Sequence, residues 1–219
     1  VSPTLSLSRV HFPVTALGPG RRVGIWFQGC SIRCPGCVSA DTWGPGRRRI
    51  AVDALVEDIG PWLAEADGVT ISGGEPFEQA DALERLLRRL RARTDVDILV
   101  YSGYGHAHLQ PLLARMPGLI DALISGPYLR DEAQSLPLRG SDNQRLHRLT
   151  PLGERRFAAF DTPQSGGTPA LDLMFDASGT VWMAGIPRRD DLQRLREALR
   201  SAGHRAGTSQ HAAGDAEWS

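Results

Sequence analysis

The chain has 219 residues, 41% hydrophobic and 23% charged, which suits one globular domain with a real core and a short remainder. Its 25 basic residues balance 25 acidic ones, so charge leaves no footprint for nucleic acid, and no apolar run is long enough to span a membrane. Every Lys+Arg residue is arginine, which excludes lysine Schiff-base chemistry and a phosphate-loop lysine.

Residues 1–17 lack the charged start and apolar centre of a secretory signal, so the expectation is a cytoplasmic protein in a reducing compartment. Gly18-Pro-Gly20 reads as a turn, and Arg21–Gln28 as a strand whose Trp26 and Phe27 split between core and cluster shielding, since strand neighbours point to opposite faces. That strand delivers a loop holding all three cysteines, Cys30, Cys34 and Cys37, spaced C-x3-C-x2-C. The odd count and the chain length speak against a disulfide framework. Three thiolates on one loop suit a four-iron cluster with one iron left open, since such clusters normally take four cysteines. A zinc site completed by a histidine stays open, although His11, His106, His108, His147, His204 and His211 all lie far from the loop. So does a Cys34–Cys37 redox pair, which leaves Cys30 unexplained.

Arg47–Arg49 reads as solvated loop charge. Val52, Leu55, Val56, Ile59 and Leu63 recur at helical spacing, with Gly60-Pro61 placed to bend or split the helix. Gly68–Ser72 is a buried strand running into Gly73-Gly74-Glu75-Pro76, where glycines permit close backbone approach and a carboxylate could accept from an ammonium group. Leu83, Leu86, Leu87 and Leu90 form a helical stripe. Asp97–Tyr101 is a strand ending at Ser102-Gly103, and Leu109, Leu112, Leu113 and Met116 mark a helix. Ile120–Ser125 is a further strand ending at Gly126-Pro127. Continuous apolar strands alternating with amphipathic helices predict an α/β fold with a parallel sheet and ligand loops at its strand ends. Four strands cannot close an eight-stranded barrel. With two more from the remaining chain, an open, partial (β/α)6-type barrel fits the length.

Residues 128–169 are irregular, and in them Arg139 and Asn143 either line the site or hold local backbone, the site being preferred. Leu171–Phe175 and Thr180–Ala184 predict a hairpin across Asp176–Gly179. Leu192, Leu195 and Leu199 predict a last helix, and a disordered tail follows from Gly203. The expected organisation is a core over 1–187, a helix over 188–202 and a tail over 203–219. His106 and His108 read as surface residues.

The cysteine spacing followed by Gly73-Gly-Glu-Pro76 resembles the radical S-adenosylmethionine (AdoMet) superfamily. Gly18-Pro-Gly-Arg21, Trp26-Phe-Gln-Gly-Cys30 and Cys34-Pro-Gly-Cys37 are similar to the opening of its radical-generating activases. The anaerobic ribonucleotide reductase activating proteins come first in pattern, the pyruvate formate-lyase activating enzymes more distantly. Val100-Tyr-Ser-Gly-Tyr104, Asp121–Pro127 and Arg139-Gly-Ser-Asp-Asn-Gln-Arg145 follow in the same order, and Gly185-Ile-Pro187 resembles a closing strand of longer relatives. Val38, where activases carry an aromatic, and the length beyond residue 150 depart from the pattern.

The resemblance implies a [4Fe–4S] cluster on Cys30, Cys34 and Cys37. It also implies AdoMet held by Gly73, Gly74 and Glu75 with backbone around Gly36, Cys37 and Val38, and Tyr101, Ser102 and Gly103 are candidates to touch it. The implied activity is reductive cleavage of AdoMet to a 5′-deoxyadenosyl radical, supplied with electrons by a flavodoxin or ferredoxin. That radical would take hydrogen from a glycine of a partner glycyl-radical enzyme, an anaerobic ribonucleotide reductase. The alternatives are a radical AdoMet tailoring enzyme for a peptide or small molecule, and a non-catalytic iron–sulfur or zinc module.

Overall fold

The computed structural model describes residues 3–46, 48–163, 171–175, 181–188 and 190–204. Among them, seven strands form one sheet in the order β3-β1-β2-β4-β5-β6-β7. Its centre is β2 (Arg22–Phe27), β4 (Gly68–Gly73), β5 (Asp97–Ser102) and β6 (Ala122–Ser125), all parallel. Antiparallel strands flank them. β1 (Thr4–Val14) and β3 (Arg49–Ala51) lie on one side, β7 (Arg145–Arg148) on the other.

The four parallel strands are the four expected. The further strands differ from expectation. β7 adds to the sheet antiparallel, and β8 (Leu171–Phe175) with β9 (Val181–Gly185) forms the separate hairpin foreseen. Only four strands of the sheet are mutually parallel, not six, because the chain after β6 returns through a loop rather than a crossover helix.

Alternate residues of the central strands face two cores. Ile25, Phe27, Ile71, Ile98, Val100 and Leu123 pack under the helices. α1 (Val52–Asp58) supplies Leu55 and Val56, and α3 (Ala80–Arg91) supplies Leu83, Leu86, Leu87 and Leu90. α1 stops before Gly60-Pro61, and α2 (Gly60–Leu63) restarts with proline in its first turn, where no amide is needed. On the other face Trp26 meets Val14, Leu17 and hairpin residue Ala184, while Leu99 and Ile124 meet Phe157 of α5 (Pro151–Phe157). Trp26 and Phe27 point to opposite faces as strand neighbours must, but both are buried in cores and neither lines the cavity, so the expected division between core and cluster shielding is corrected.

α4 (His106–Leu113) stops short of Met116, and α6 (Asp191–Ser201) carries the last leucine stripe. The N-terminal ends of β2, β4 and β5 are stapled by buried Arg22. It donates to Thr70 (2.6 Å), Val69 O (2.8 Å), Pro19 O (3.0 Å) and Asp97 (2.5 Å), and Asp97 also accepts from Arg156 (2.9 Å). No helix among the described residues is long and apolar enough to cross a membrane. Arg47, residues 176–180 of the hairpin turn and the tail from residue 205 lie outside the described residues.

Candidate active site

β2 runs beside β4 with Phe27 opposite Gly73, so the cysteine loop leaves the sheet next to the Gly-Gly turn. The loop is held by its own backbone: Gly29 N–H donates to Thr42 O (2.8 Å), Cys30 N–H to Trp43 O (3.2 Å) and Cys37 N–H to Cys34 O (3.0 Å). Amides of Ile32 and Arg33 near Cys30, of Tyr128 near Cys34, and of Ser39 with the Trp43 side chain near Cys37 favour the thiolate forms. Arg33 sits in the left-handed region (φ 50).

Burial pushes all three thiols up, Cys37 to about 11. Nearby Glu75 and Glu78 add to the shift at Cys30. Thiols so placed become thiolates when a metal takes the proton's place. Among the described residues no three His, Cys, Asp or Glu side chains converge on a point that one metal ion would fill. A cube-shaped cluster asks for no such convergence, because each cysteine meets a different iron. Three thiols carried on one loop and facing one cavity fit that group.

Gly73 and Gly74 are demanded by the neighbouring loop. A Cβ on Gly73, which has φ 102, would lie 2.5 Å from Phe27 O, and one on Gly74 would lie 2.1 Å from Gly29 O. That closeness allows Gly74 N–H to donate to Phe27 O and Glu75 N–H to Gly29 O, both at 2.8 Å. The Gln79 amide adds a bond to Gln28 O (3.0 Å) and holds Ser6 of β1. The glycines therefore serve the approach of two loops, beyond the turn and the ligand approach that the sequence suggested.

The Glu75 carboxylate is buried and braces two strand ends. Oε1 accepts from Phe77 N–H (3.0 Å) and Ser102 O–H (2.9 Å), and Oε2 from Gly103 N–H (2.8 Å). Two carboxylate oxygens offer about four acceptor positions, so one stays for a cation. Burial raises its pKa to about 7 against these three donors. A positive group beside it would favour the charged form.

Cys30, Cys34, Gly36, Cys37 and Val38 share one cavity of about 770 Å³ with Gly73, Gly74, Glu75, Tyr101, Ser102 and Gly103. Every residue that the resemblance implied for the cluster and AdoMet lines it. The volume suits a nucleotide-sized ligand, and the place, at the C-terminal ends of parallel strands, is where α/β folds bind ligands.

Sequence reasoning missed other wall residues, Trp43, Tyr128 and Gln144 among them, and Ile186, Pro187, Arg188, Asp190, Leu192 and Gln193. Only the strand-end position of Gly126-Pro127 hinted at Tyr128. Nothing local in 186–193 marks it as a wall. Arg139 and Asn143 are corrected: neither lines the cavity. Asn143 donates to Pro127 O (2.8 Å), and Arg139 is buried against Asp161 (2.6 Å). Asn143 holds local backbone, while Arg139 ties its loop to the Ala158–Asp161 turn by an ion pair. His106 is half-buried and stacks on His147 (3.9 Å), while His108 is exposed and stacks on Tyr104 (4.5 Å).

Residues 16–147 match the family model described as a 4Fe-4S single cluster domain. The anaerobic ribonucleoside-triphosphate reductase-activating protein of Escherichia coli K12 is 31% identical over 148 residues, covering 64% of this chain and 96% of that protein. Its counterpart from Enterobacteria phage T4 is 30% identical over 134 residues, 59% of this chain and 85% of that protein. The pyruvate formate-lyase-activating enzyme of Staphylococcus epidermidis is 42% identical over 84 residues, 36% of this chain and 34% of that protein.

Proposed function

We propose a function from one premise: this chain belongs to the 4Fe-4S single cluster domain family and, within it, to the radical AdoMet activase group. It is an enzyme that activates a glycyl-radical enzyme. Cys30, Cys34 and Cys37 hold a [4Fe–4S] cluster. Gly73, Gly74 and Glu75, the backbone of Gly36, Cys37 and Val38, and the Tyr101, Ser102 and Gly103 strand end position AdoMet. Held there, the cluster and AdoMet would supply one-electron reductive chemistry: cleavage of the sulfonium carbon–sulfur bond to methionine and a 5′-deoxyadenosyl radical able to take a hydrogen atom from the substrate. The chain's residues bind, orient and shield that chemistry from water. The hydrogen donor is a glycine of a partner enzyme, an anaerobic ribonucleotide reductase, and the electron comes from a flavodoxin or ferredoxin.

The observation that carries this reading is the shared cavity: three thiols from one loop and the glycine-rich ends of β4 and β5 face the same space. The central strands then form a partial radical AdoMet barrel. Residues 1–187 are its core, 188–202 a terminal helix and 203–219 a tail.

Anaerobically reconstituted protein should carry iron and acid-labile sulfide, and with dithionite it should release 5′-deoxyadenosine from AdoMet. Cys34→Ala should abolish that release. A glycyl-radical signal on an added reductase decides the substrate. Material with zinc but no cleavage would sink the reading.

One observation favours a second substrate. Ile186, Pro187, Arg188, Asp190, Leu192 and Gln193 line the cavity, yet lie outside the matched stretch of 16–147. A tailoring enzyme for a peptide or small molecule would use such an added wall. Deuterium passing from a labelled peptide into 5′-deoxyadenosine would establish it.

A further inference from the structure

We propose that Glu78 is a positioning residue for Cys30: it fixes the peptide that directly follows that cysteine. The inference rests on Cys30 being a cluster ligand, as read above.

Glu78 lies at the surface in the 3₁₀ turn Pro76–Gln79. Its carboxylate accepts three donors from two other loops. Ser31 N–H reaches Oε1 at 3.0 Å and Oε2 at 3.2 Å, the Ser31 hydroxyl reaches Oε1 at 2.5 Å, and the Tyr104 hydroxyl reaches Oε1 at 3.0 Å. Ser31 directly follows Cys30, so the Ser31 amide, held outward by Glu78, sets the peptide that leaves the cysteine.

Holding Ser31 by both its amide and its hydroxyl leaves that residue one backbone arrangement. The arrangement must be held, because Arg33 beyond it takes a left-handed conformation (φ 50) that is uphill for a residue with a Cβ. The neighbouring handholds on the loop come from the Gly74 and Glu75 amides and the Gln79 side-chain amide. Glu78 adds the handhold past Cys30 and brings a negative charge to it. Tyr104 ties the same carboxylate to the β5 end, since its amide donates to Ser102 Oγ (3.1 Å), which donates to Glu75. The cluster loop and the ligand-facing strand end are therefore oriented together.

Groups that orient metal ligands without touching the metal typically matter by about 10–100-fold in affinity. The test compares full-length, reconstituted Glu78→Ala and Glu78→Gln with the parent chain. Iron retained against a chelator, the midpoint potential of the cluster and the melting curve of the iron-free chain are measured.

Glu78→Ala should weaken iron retention by about tenfold or more. Glu78→Gln keeps an acceptor oxygen for Ser31 and should stay within about threefold. Its potential should rise, because a negative charge beside the cluster has gone. The iron-free melts should coincide.

Glu78→Ala retaining iron like the parent would overturn the proposal. So would Glu78→Gln failing as badly as Glu78→Ala, or an iron-free Glu78→Ala chain that melts far below the parent. A parent chain that takes up no iron would overturn the cluster reading as well, and is recognised by its failure without any substitution.

Discussion

At the scale of single residues, the Gly-Gly pair and Glu75 have mainly internal duties. Gly74→Ala would drive a Cβ into Gly29 O, and main chain cannot swing aside as a side-chain tip can. The expected cost is about 1–3 kcal/mol, read by urea unfolding, together with weaker iron retention because the cysteine loop must shift. Glu75 gives a pH prediction. Its folded-state pKa, about 7, lies above the ordinary 4.5, so between those values the folded chain holds a proton that the unfolded chain has released. Stability from this group is therefore present below pH 4.5 and lost as pH rises to about 7. The loss is of order 3 kcal/mol. Urea midpoints at pH 5 and pH 8 should differ less in Glu75→Gln than in the parent. A slope unchanged by the substitution would assign it to other groups. The cysteines and Gly73–Pro76 were legible because metal-ligand spacing and a strand-end glycine pair are local signals. That Glu75 braces Ser102 and Gly103 was not, since the contact joins residues far apart in sequence.

The elements divide in the same way. α3 was plain from Leu83, Leu86, Leu87 and Leu90, which all reach the core, and Leu86→Ala should cost about 2–5 kcal/mol without altering the cavity lining. β1 went unread although Leu5 and Leu7 are buried and alternate with polar Ser6 and Ser8. Its role is set by pairing with β2 and β3, which no local window reveals. α5 had a readable start: Thr150 accepts from Gly153 N–H (3.1 Å), with proline in the first turn. Arg22 and Asp97, both fully buried, staple three strands at their beginnings. Asp97→Ala leaves that guanidinium without its carboxylate and should cost about 3–5 kcal/mol in urea unfolding. The folded fraction should still take up iron as the parent does.

Across the whole molecule, the hairpin decides how the second face of the sheet is covered. Asp172 of β8 accepts from Thr15 N–H and O–H (2.7 Å each) and Ala16 N–H (2.8 Å), and Gln134 donates to Pro187 O (3.0 Å). These bonds seat the stretch that walls the cavity from Ile186 onward. Asp172→Ala should loosen it by about 1–2 kcal/mol, seen as faster amide exchange over Val181–Gly185, while exchange in the central strands stays unchanged. Equal acceleration in the central strands would mean that the hairpin is part of one cooperative unit. The staple of Arg22 and Asp97 sits at one pole of the strands, and the thiols and their walls at the other. Evolution can therefore revise what the cavity accepts by editing the upper rim, while the lower anchor keeps the descendant foldable.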